Sequence, residues 1–281
     1  MSHNSHTILN LMEKNSIFIL AALMLLLYCE VEAQTNYLRQ KETTFINVEY
    51  NLPMFKEAAF GKKTGWSVIL NAKLKASDNL TVLLEVPYAS GGNDYWGSPV
   101  SKTESDVTWG NPLIGLEIRN GDSDLYYEFG LRIPGTNKNS WRAISAGESI
   151  DLERMTAFFS ESVSLYGLLD FKPELLNKFY LMINGGPIFF FHKEGGVPQT
   201  SLMFSNRFGF KNDLFNLTSG FELMVFLSGK NISLSERTTT QWDISVSVNF
   251  ANFNPGLIFR LPLTGWNSSN GVIGFNLGYN F

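Results

Sequence analysis

The sequence predicts an all-β fold: a membrane-spanning, antiparallel, up-and-down β-barrel of about 12 strands. Three observations lead there. Apolar and polar residues alternate with period two over most of the chain, short and long connections alternate, and the last segment is an alternating strand that ends on Phe281. Composition agrees. Of 281 residues only 17% are charged, 14% are aromatic, and Gly (24) and Phe (23) are abundant. Globular chains average about 25% charged. Outside the first thirty or so residues no apolar run is long enough for a spanning helix, which needs about 20 residues. The aromatic content excludes a disordered chain, and a net charge of -4 offers no basic surface for nucleic acid.

Residues 1–33 are expected to be a signal peptide. Lys14 precedes an apolar stretch from Ile17 to Tyr28, and Val31-Glu32-Ala33 places small residues where a signal peptidase reads, with cleavage before Gln34. Met12-Glu13-Lys14 is the more natural start. Cys29, the one cysteine, lies in the removed part, and Tyr28 before it is too bulky for a lipidation site. Residues 34–281 then form a single exported barrel without thiols, as suits the outer membrane of a bacterium.

Strands are expected near 43–50, 65–75, 80–88, 111–119, 124–133, 155–170, 179–191, 201–210, 216–227, 239–250, 255–263 and 271–281. In 65–75, Trp66, Val68, Leu70, Ala72 and Leu74 oppose Ser67, Asn71, Lys73 and Lys75. In 124–133, Leu125, Tyr127, Phe129, Leu131 and Ile133 oppose Tyr126, Glu128, Gly130 and Arg132. In 239–250, Trp242, Ile244, Val246, Val248 and Phe250 oppose Gln241, Asp243, Ser245, Ser247 and Asn249. A heavy apolar face against a face of Gly, Ser, Asn and paired charges fits lipid outside and water inside. Connections at 76–79, 120–123, 171–178, 211–215 and 251–254 read as short periplasmic turns. Those at 51–64, 89–110, 134–154, 192–200, 228–238 and 264–270 read as longer extracellular loops. Pro87, Pro134 and Pro262 are expected at the extracellular rim, where pairing stops. In the final strand Ile273, Phe275, Leu277, Tyr279 and Phe281 face lipid. The last four form the expected assembly signal, read by the barrel-assembly machinery.

Parity places Glu49, Lys73, Lys75, Glu85, Glu117, Arg119, Glu128, Arg132, Arg207, Glu222, Asp243 and Arg260 in the lumen, a near-neutral set. A strongly selective pore carries rings of one sign. The expectation is that opposite signs meet: Lys73 with Glu85, Glu128 and Arg132 with Glu117 and Arg119, and Asp243 diagonal to an Arg260 that lies opposite Ser245.

Catalysis has little support. His192 is the one histidine beyond residue 33, it is followed by Lys193 and Glu194, and the nearest following serine is Ser201. One histidine builds neither a multi-histidine metal site nor, without an adjacent serine, a hydrolase. Gly91-Gly92, Gly185-Gly186 and Gly195-Gly196 are pairs without nucleotide-loop spacing. No cofactor or metal is expected.

Several phrases carry a family resemblance. Leu80-Thr81-Val82-Leu83-Leu84-Glu85-Val86-Pro87-Tyr88, the strand from Trp109-Gly110-Asn111-Pro112-Leu113 to Arg119, and Leu131-Arg132-Ile133-Pro134-Gly135 fall in the same order as similar phrases of one family. The chain resembles, over about residues 65–281, the outer-membrane family named for the meta-pathway of phenol degradation, regarded as barrel transporters. Asn111 stands where that family has Asp, and Thr136 follows Pro134-Gly135 where the family has Pro-Thr-Gly. The resemblance implies porin-like uptake of small hydrophobic or aromatic solutes and supplies no catalytic residue. The alternatives are a structural or secretion-associated barrel with a plugged lumen, and an outer-membrane lipid hydrolase.

Overall fold

The computed structural model describes residues 44–56, 61–95, 102–121, 123–176, 178–192, 198–228, 233–264 and 269–281. The signal-peptide reading of residues 1–33 lies outside them. Twelve antiparallel strands form a closed barrel. They are β1 (Phe45–Phe55), β2 (Gly61–Ser77), β3 (Leu80–Tyr95), β4 (Lys102–Trp109 and Leu113–Arg119), β5 (Leu125–Arg132), β6 (Ser162–Phe171), β7 (Phe179–His192), β8 (Gln199–Lys211), β9 (Phe215–Phe226), β10 (Thr238–Val248), β11 (Phe253–Thr264) and β12 (Ser269–Asn280). Each pairs with the next, and β1 pairs with β12 from Phe45↔Asn280 to Phe55↔Ser269, so the ring has no free edge.

Burial follows the pleat with its usual sense reversed. Val48, Leu70, Ile114, Phe129, Phe204, Leu257 and Leu277 are exposed on the outside, while Asn47, Glu49, Ser205, Glu222 and Arg260 are buried inside. Only a solvent of hydrocarbon makes that arrangement stable. Aromatic rings edge the apolar belt. Tyr50, Trp66, Tyr88 and Trp109 form a row across β1 to β4, with successive centroids 6.0, 5.7 and 5.0 Å apart. Phe253, Tyr279 and Phe281 meet at the other end. Such rings sit well where lipid gives way to water.

The short turns share one end with Thr44 and Phe281, whose backbones are hydrogen-bonded. The longer connections share the opposite end. Three expectations need correction there. The strand expected from 155 begins at Ser162, because Met155–Phe158 is a short 3-10 helix. Strands β2 and β3 pair well beyond the expected rim, to Gly61↔Tyr95. Pro87 and Pro262 therefore lie within strands. Proline lacks a ladder donor, and both sit where the ladder is broken. Pro87 faces the interruption of β4 at Gly110-Asn111-Pro112, where its carbonyl accepts from Gly110 N (2.8 Å). Pro262 adjoins a register shift at Thr240/Gln241 and lies past the last described β11–β12 pair, Arg260↔Val272.

The connection from Ile133 to Glu161 is no surface loop. It folds into the barrel, where it carries α1 (Trp141–Glu148) and the 3-10 turn. Two apolar clusters hold it. Ala143, Ile150, Ala157 and Phe158 pack with Ile69 (β2), Ala89 (β3) and Val272 (β12). Leu152 and Met155 pack with Ile188 and Phe190 (β7), Met203 (β8) and Met224 (β9). Strands β2 and β8 are diametric in a ring of twelve, so a segment touching both crosses the lumen.

Glycine makes room for α1. A Cβ at Gly65 would stand 2.6 Å from the Ala146 Cβ, and one at Gly91 would collide with the Arg142 backbone carbonyl. Gly91→Ala is expected to displace α1 from β3 without opening the barrel ladder. Limited trypsin digestion should then cut at Arg142, and a digestion pattern identical to wild type would count against this packing.

Candidate functional site

The inserted segment and the walls that grip it form the candidate site. Its entry is fixed by Asn111, in the β4 interruption. The Asn111 amide donates to the carbonyls of Thr156 (3.1 Å) and Phe159 (2.7 Å). Its oxygen accepts from Gly135 N (2.8 Å), Thr136 N (3.3 Å) and the Thr136 hydroxyl (3.3 Å). One side chain thus clasps both ends of the insertion. Pairing stops at residues 110–112 so that this amide can turn inward.

The middle of the lumen is an ion-pair lattice. Arg154, from the insertion, reaches Glu49 on β1 (2.9 Å) and Glu85 on β3 (3.0 Å). Arg132 on β5 binds the other Glu85 oxygen (2.7 Å) and the Asn111 carbonyl (3.2 Å). Arg260 on β11 binds Glu49 (2.9 Å), Asn51 (2.9 Å) and, from the insertion, Asp151 (3.1 Å). Across the lumen Arg207 on β8 meets Glu153 of the insertion (2.9 Å), Glu222 on β9 and Asp243 on β10 (3.4 Å). The insertion is therefore tied by charge to β1, β3, β8 and β11.

Nearer the turn end lies a second group. Glu117 and Glu128 are directly opposite in the β4–β5 ladder, and with Asp170 their carboxylates come within 4.8 Å of one another. Lys172 sits 2.8 Å from Glu117 and 3.8 Å from Asp170, and Lys73 is 3.4 Å from Glu117. The Tyr166 hydroxyl donates to Glu128 (2.9 Å). Arg119 donates to the Ser123 carbonyl and lies over the Tyr126 ring, and Lys75 pairs with Asp78 at the turn (2.8 Å).

The pairings differ from those expected from adjacency. Lys73 binds Glu117 rather than Glu85, whose cations are Arg132 and Arg154. Arg260 lies opposite Asp243, and Ser245 opposite Ile258. The cause is a tight turn at Ala251-Asn252 between the bridged Phe250 and Phe253, with Ala251 at φ 46°. Asp151, Glu153 and Arg154 were not among the lumen candidates, because residues 134–154 read as an extracellular loop. The signal that could have found them is the oily run Ile150, Leu152, Met155, Ala157, Phe158 and Phe159, too apolar for a solvated loop.

Cavities flank the insertion on both sides. One of about 170 Å³ lies on the turn-end side, among Lys73, Glu85, Glu128, Arg132, Arg154, Tyr166, Lys172 and Arg207. The other, about 200 Å³, lies on the loop-end side against α1 and β10.

Ser162 stands opposite His192 in the β6–β7 ladder, but its hydroxyl donates to the Phe159 carbonyl (3.2 Å). Phe275, Leu277 and Phe281 are exposed, and Tyr279 stacks edge-on between Phe253 and Phe281.

These features define a closed, twelve-stranded antiparallel β-barrel of the membrane-spanning kind. No known family model matches the sequence, and no curated protein is similar to it by sequence. Among solved structures, the chain is similar to an outer-membrane channel from Pseudomonas putida F1 at 13% identity and a TM-score of 0.57, over 89% of this chain and all of the other. It is also similar to LpxR from Salmonella typhimurium, at 8% identity and a TM-score of 0.51, over 84% of this chain and all of the other. At such identities the likeness is one of fold.

Proposed function

We propose that the chain is a non-enzymatic, passive channel of the bacterial outer membrane for small solutes, constricted by residues 133–161. The observation that carries this reading is the insertion itself: a segment held across the lumen by ion pairs and apolar clusters, with a cavity on each side. The short-turn end then faces the periplasm. Glu49 and Glu85 each keep a wall cation, Arg260 and Arg132, when Arg154 leaves, so the constriction can rearrange without stranding either carboxylate. The sequence phrases shared with the phenol-degradation family favour hydrophobic or aromatic solutes. The near-neutral lattice predicts little preference between cations and anions. Liposome-swelling assays with benzyl alcohol, benzoate and glucose test it: the aromatic solutes should enter faster than glucose. Rates equal to protein-free liposomes for all three would favour the second reading, a structural barrel with a plugged lumen, for which the filled middle of the lumen speaks.

Lys73, Glu85, Glu117, Arg119, Glu128, Arg132, Arg207, Glu222, Asp243 and Arg260 would line the solute path in this reading. Phe275, Leu277, Tyr279 and Phe281 would form the strand that the barrel-assembly machinery engages. Deleting Phe281 should then lower the amount of heat-modifiable barrel in the outer membrane while leaving the conductance of assembled molecules unchanged. Full assembly of the truncated chain would remove the terminal-signal role.

A further inference from the structure

The cavity on the loop-end side holds two charged groups with no use in the ion-pair lattice. Glu148, at the last position of α1, and Lys63 on β2 both line it. Neither side chain makes a hydrogen bond or ion pair with any described residue, although nearly every other carboxylate in the barrel interior is tied to a cation. The remaining wall is short and polar, with Ser145 and Ser149 from the insertion and Thr239 and Gln241 from β10. A carboxylate and an ammonium that line one cavity without pairing, beside hydroxyls, are complementary to a solute that carries both charges.

We propose that this cavity is a binding site for a small zwitterion bearing an ammonium and a carboxylate, of amino-acid size. The solute's ammonium faces Glu148 and its carboxylate faces Lys63. The site lies at the outer mouth of the constriction, so its role in uptake rests on the channel reading, whereas binding itself does not. The volume of about 200 Å³ admits a small amino acid and excludes a peptide chain.

The environment of Glu148 suits a cationic guest. Burial, with no cation beside it, pushes its carboxyl up to about 7. Among the described residues, Lys63 is the only other charged group lining the cavity, the wall from β10 and β11 being Thr239, Thr240, Gln241 and Pro262. An arriving ammonium stabilises the ionised form, so binding releases a proton when the pH is below 7. Affinity should therefore rise as pH increases through 7 and level off above it.

The test is equilibrium titration of the refolded full chain in detergent with L-serine, ethanolamine and N-acetylserine, at pH 5.5 and 8. L-serine should bind most tightly, and more tightly at pH 8. Glu148→Gln should weaken serine and ethanolamine at least tenfold at pH 8 and abolish the pH dependence, with N-acetylserine unaffected. Lys63→Met should weaken serine and N-acetylserine and spare ethanolamine. Heat-modifiability on gels shows that each variant is folded. No saturable serine binding by folded wild-type protein, or binding unchanged by Glu148→Gln, overturns the proposal. Serine binding without conductance would overturn the channel reading alone, and conductance without serine binding would overturn this site alone.

Discussion

Arg154→Ala is expected to release the insertion from the lumen and to leave the barrel standing. Arg154 is buried and supplies the insertion's bonds to Glu49 (2.9 Å) and Glu85 (3.0 Å). Removing one partner of a buried pair leaves the other uncompensated and costs about 3–5 kcal/mol. Arg132 and Arg260 still neutralise Glu85 and Glu49 in part, so the loss falls mainly on the docking of residues 133–161. The twelve-strand ladder does not involve Arg154, and heat-modifiability should persist. Single channels should flicker to a larger level, and the insertion should become sensitive to protease. Arg154→Lys should restore only part of the docking, because an ammonium cannot present the planar fork that spans two carboxylates. Steady wild-type conductance with Arg154→Ala would show that the remaining ties, the apolar clusters, the Asn111 clasp and the Asp151–Arg260 and Glu153–Arg207 pairs, hold the segment without Arg154.

The second large effect is expected at Asn111. Asn111→Asp keeps the shape and the acceptor oxygen but loses the amide that donates to the Thr156 and Phe159 carbonyls. A carboxylate there would face two carbonyl oxygens in a site with no measurable exposure. The Phe159 carbonyl keeps the Thr136 (2.9 Å) and Ser162 (3.2 Å) hydroxyls, and a buried group left without a partner costs about 1–3 kcal/mol, so the variant should lose about 1–3 kcal/mol of insertion stability. Hydrogen exchange at residues 133–161 measures it: protection should fall there and stay unchanged in β8 to β12. Asn111→Ala should lose less at the carbonyls, since it adds no charge. Equal protection in all three proteins would mean that the clasp is incidental.

How much of this was legible in the sequence differs from part to part. The strands were, because a lipid-facing wall forces period two. Val48, Leu70, Phe129 and Leu257 could face nowhere else once Glu49, Glu128 and Arg260 faced inward. The inverted burial even sharpened the pattern, since no apolar core competes inside most of the barrel. The insertion was not legible as such. Its position between two strands is that of a loop, and only its content of Ile150, Leu152, Met155 and Phe158 says that it is buried. Charge partners were illegible for a related reason. Adjacent strands constrain parity, but a long side chain in a lumen reaches whatever the insertion brings. Arg260 therefore meets Asp151 and Glu49 while Asp243, directly opposite it, leans to Arg207. The hairpin register turned on Ala251, whose positive φ no local motif announces. Glu148 and Lys63, eighty-odd residues apart and on different elements, met only in the fold.

The central claim is that residues 133–161 close a path that the barrel would otherwise leave open. Planar-bilayer recording tests it most directly, comparing the wild-type chain with one in which residues 137–159 are replaced by a short Gly-Ser linker. The account predicts small, unselective wild-type channels and a several-fold larger, steadier conductance after excision, from a barrel that still runs as the heat-modifiable form. Equal conductance in the two proteins, or none in either, would contradict it.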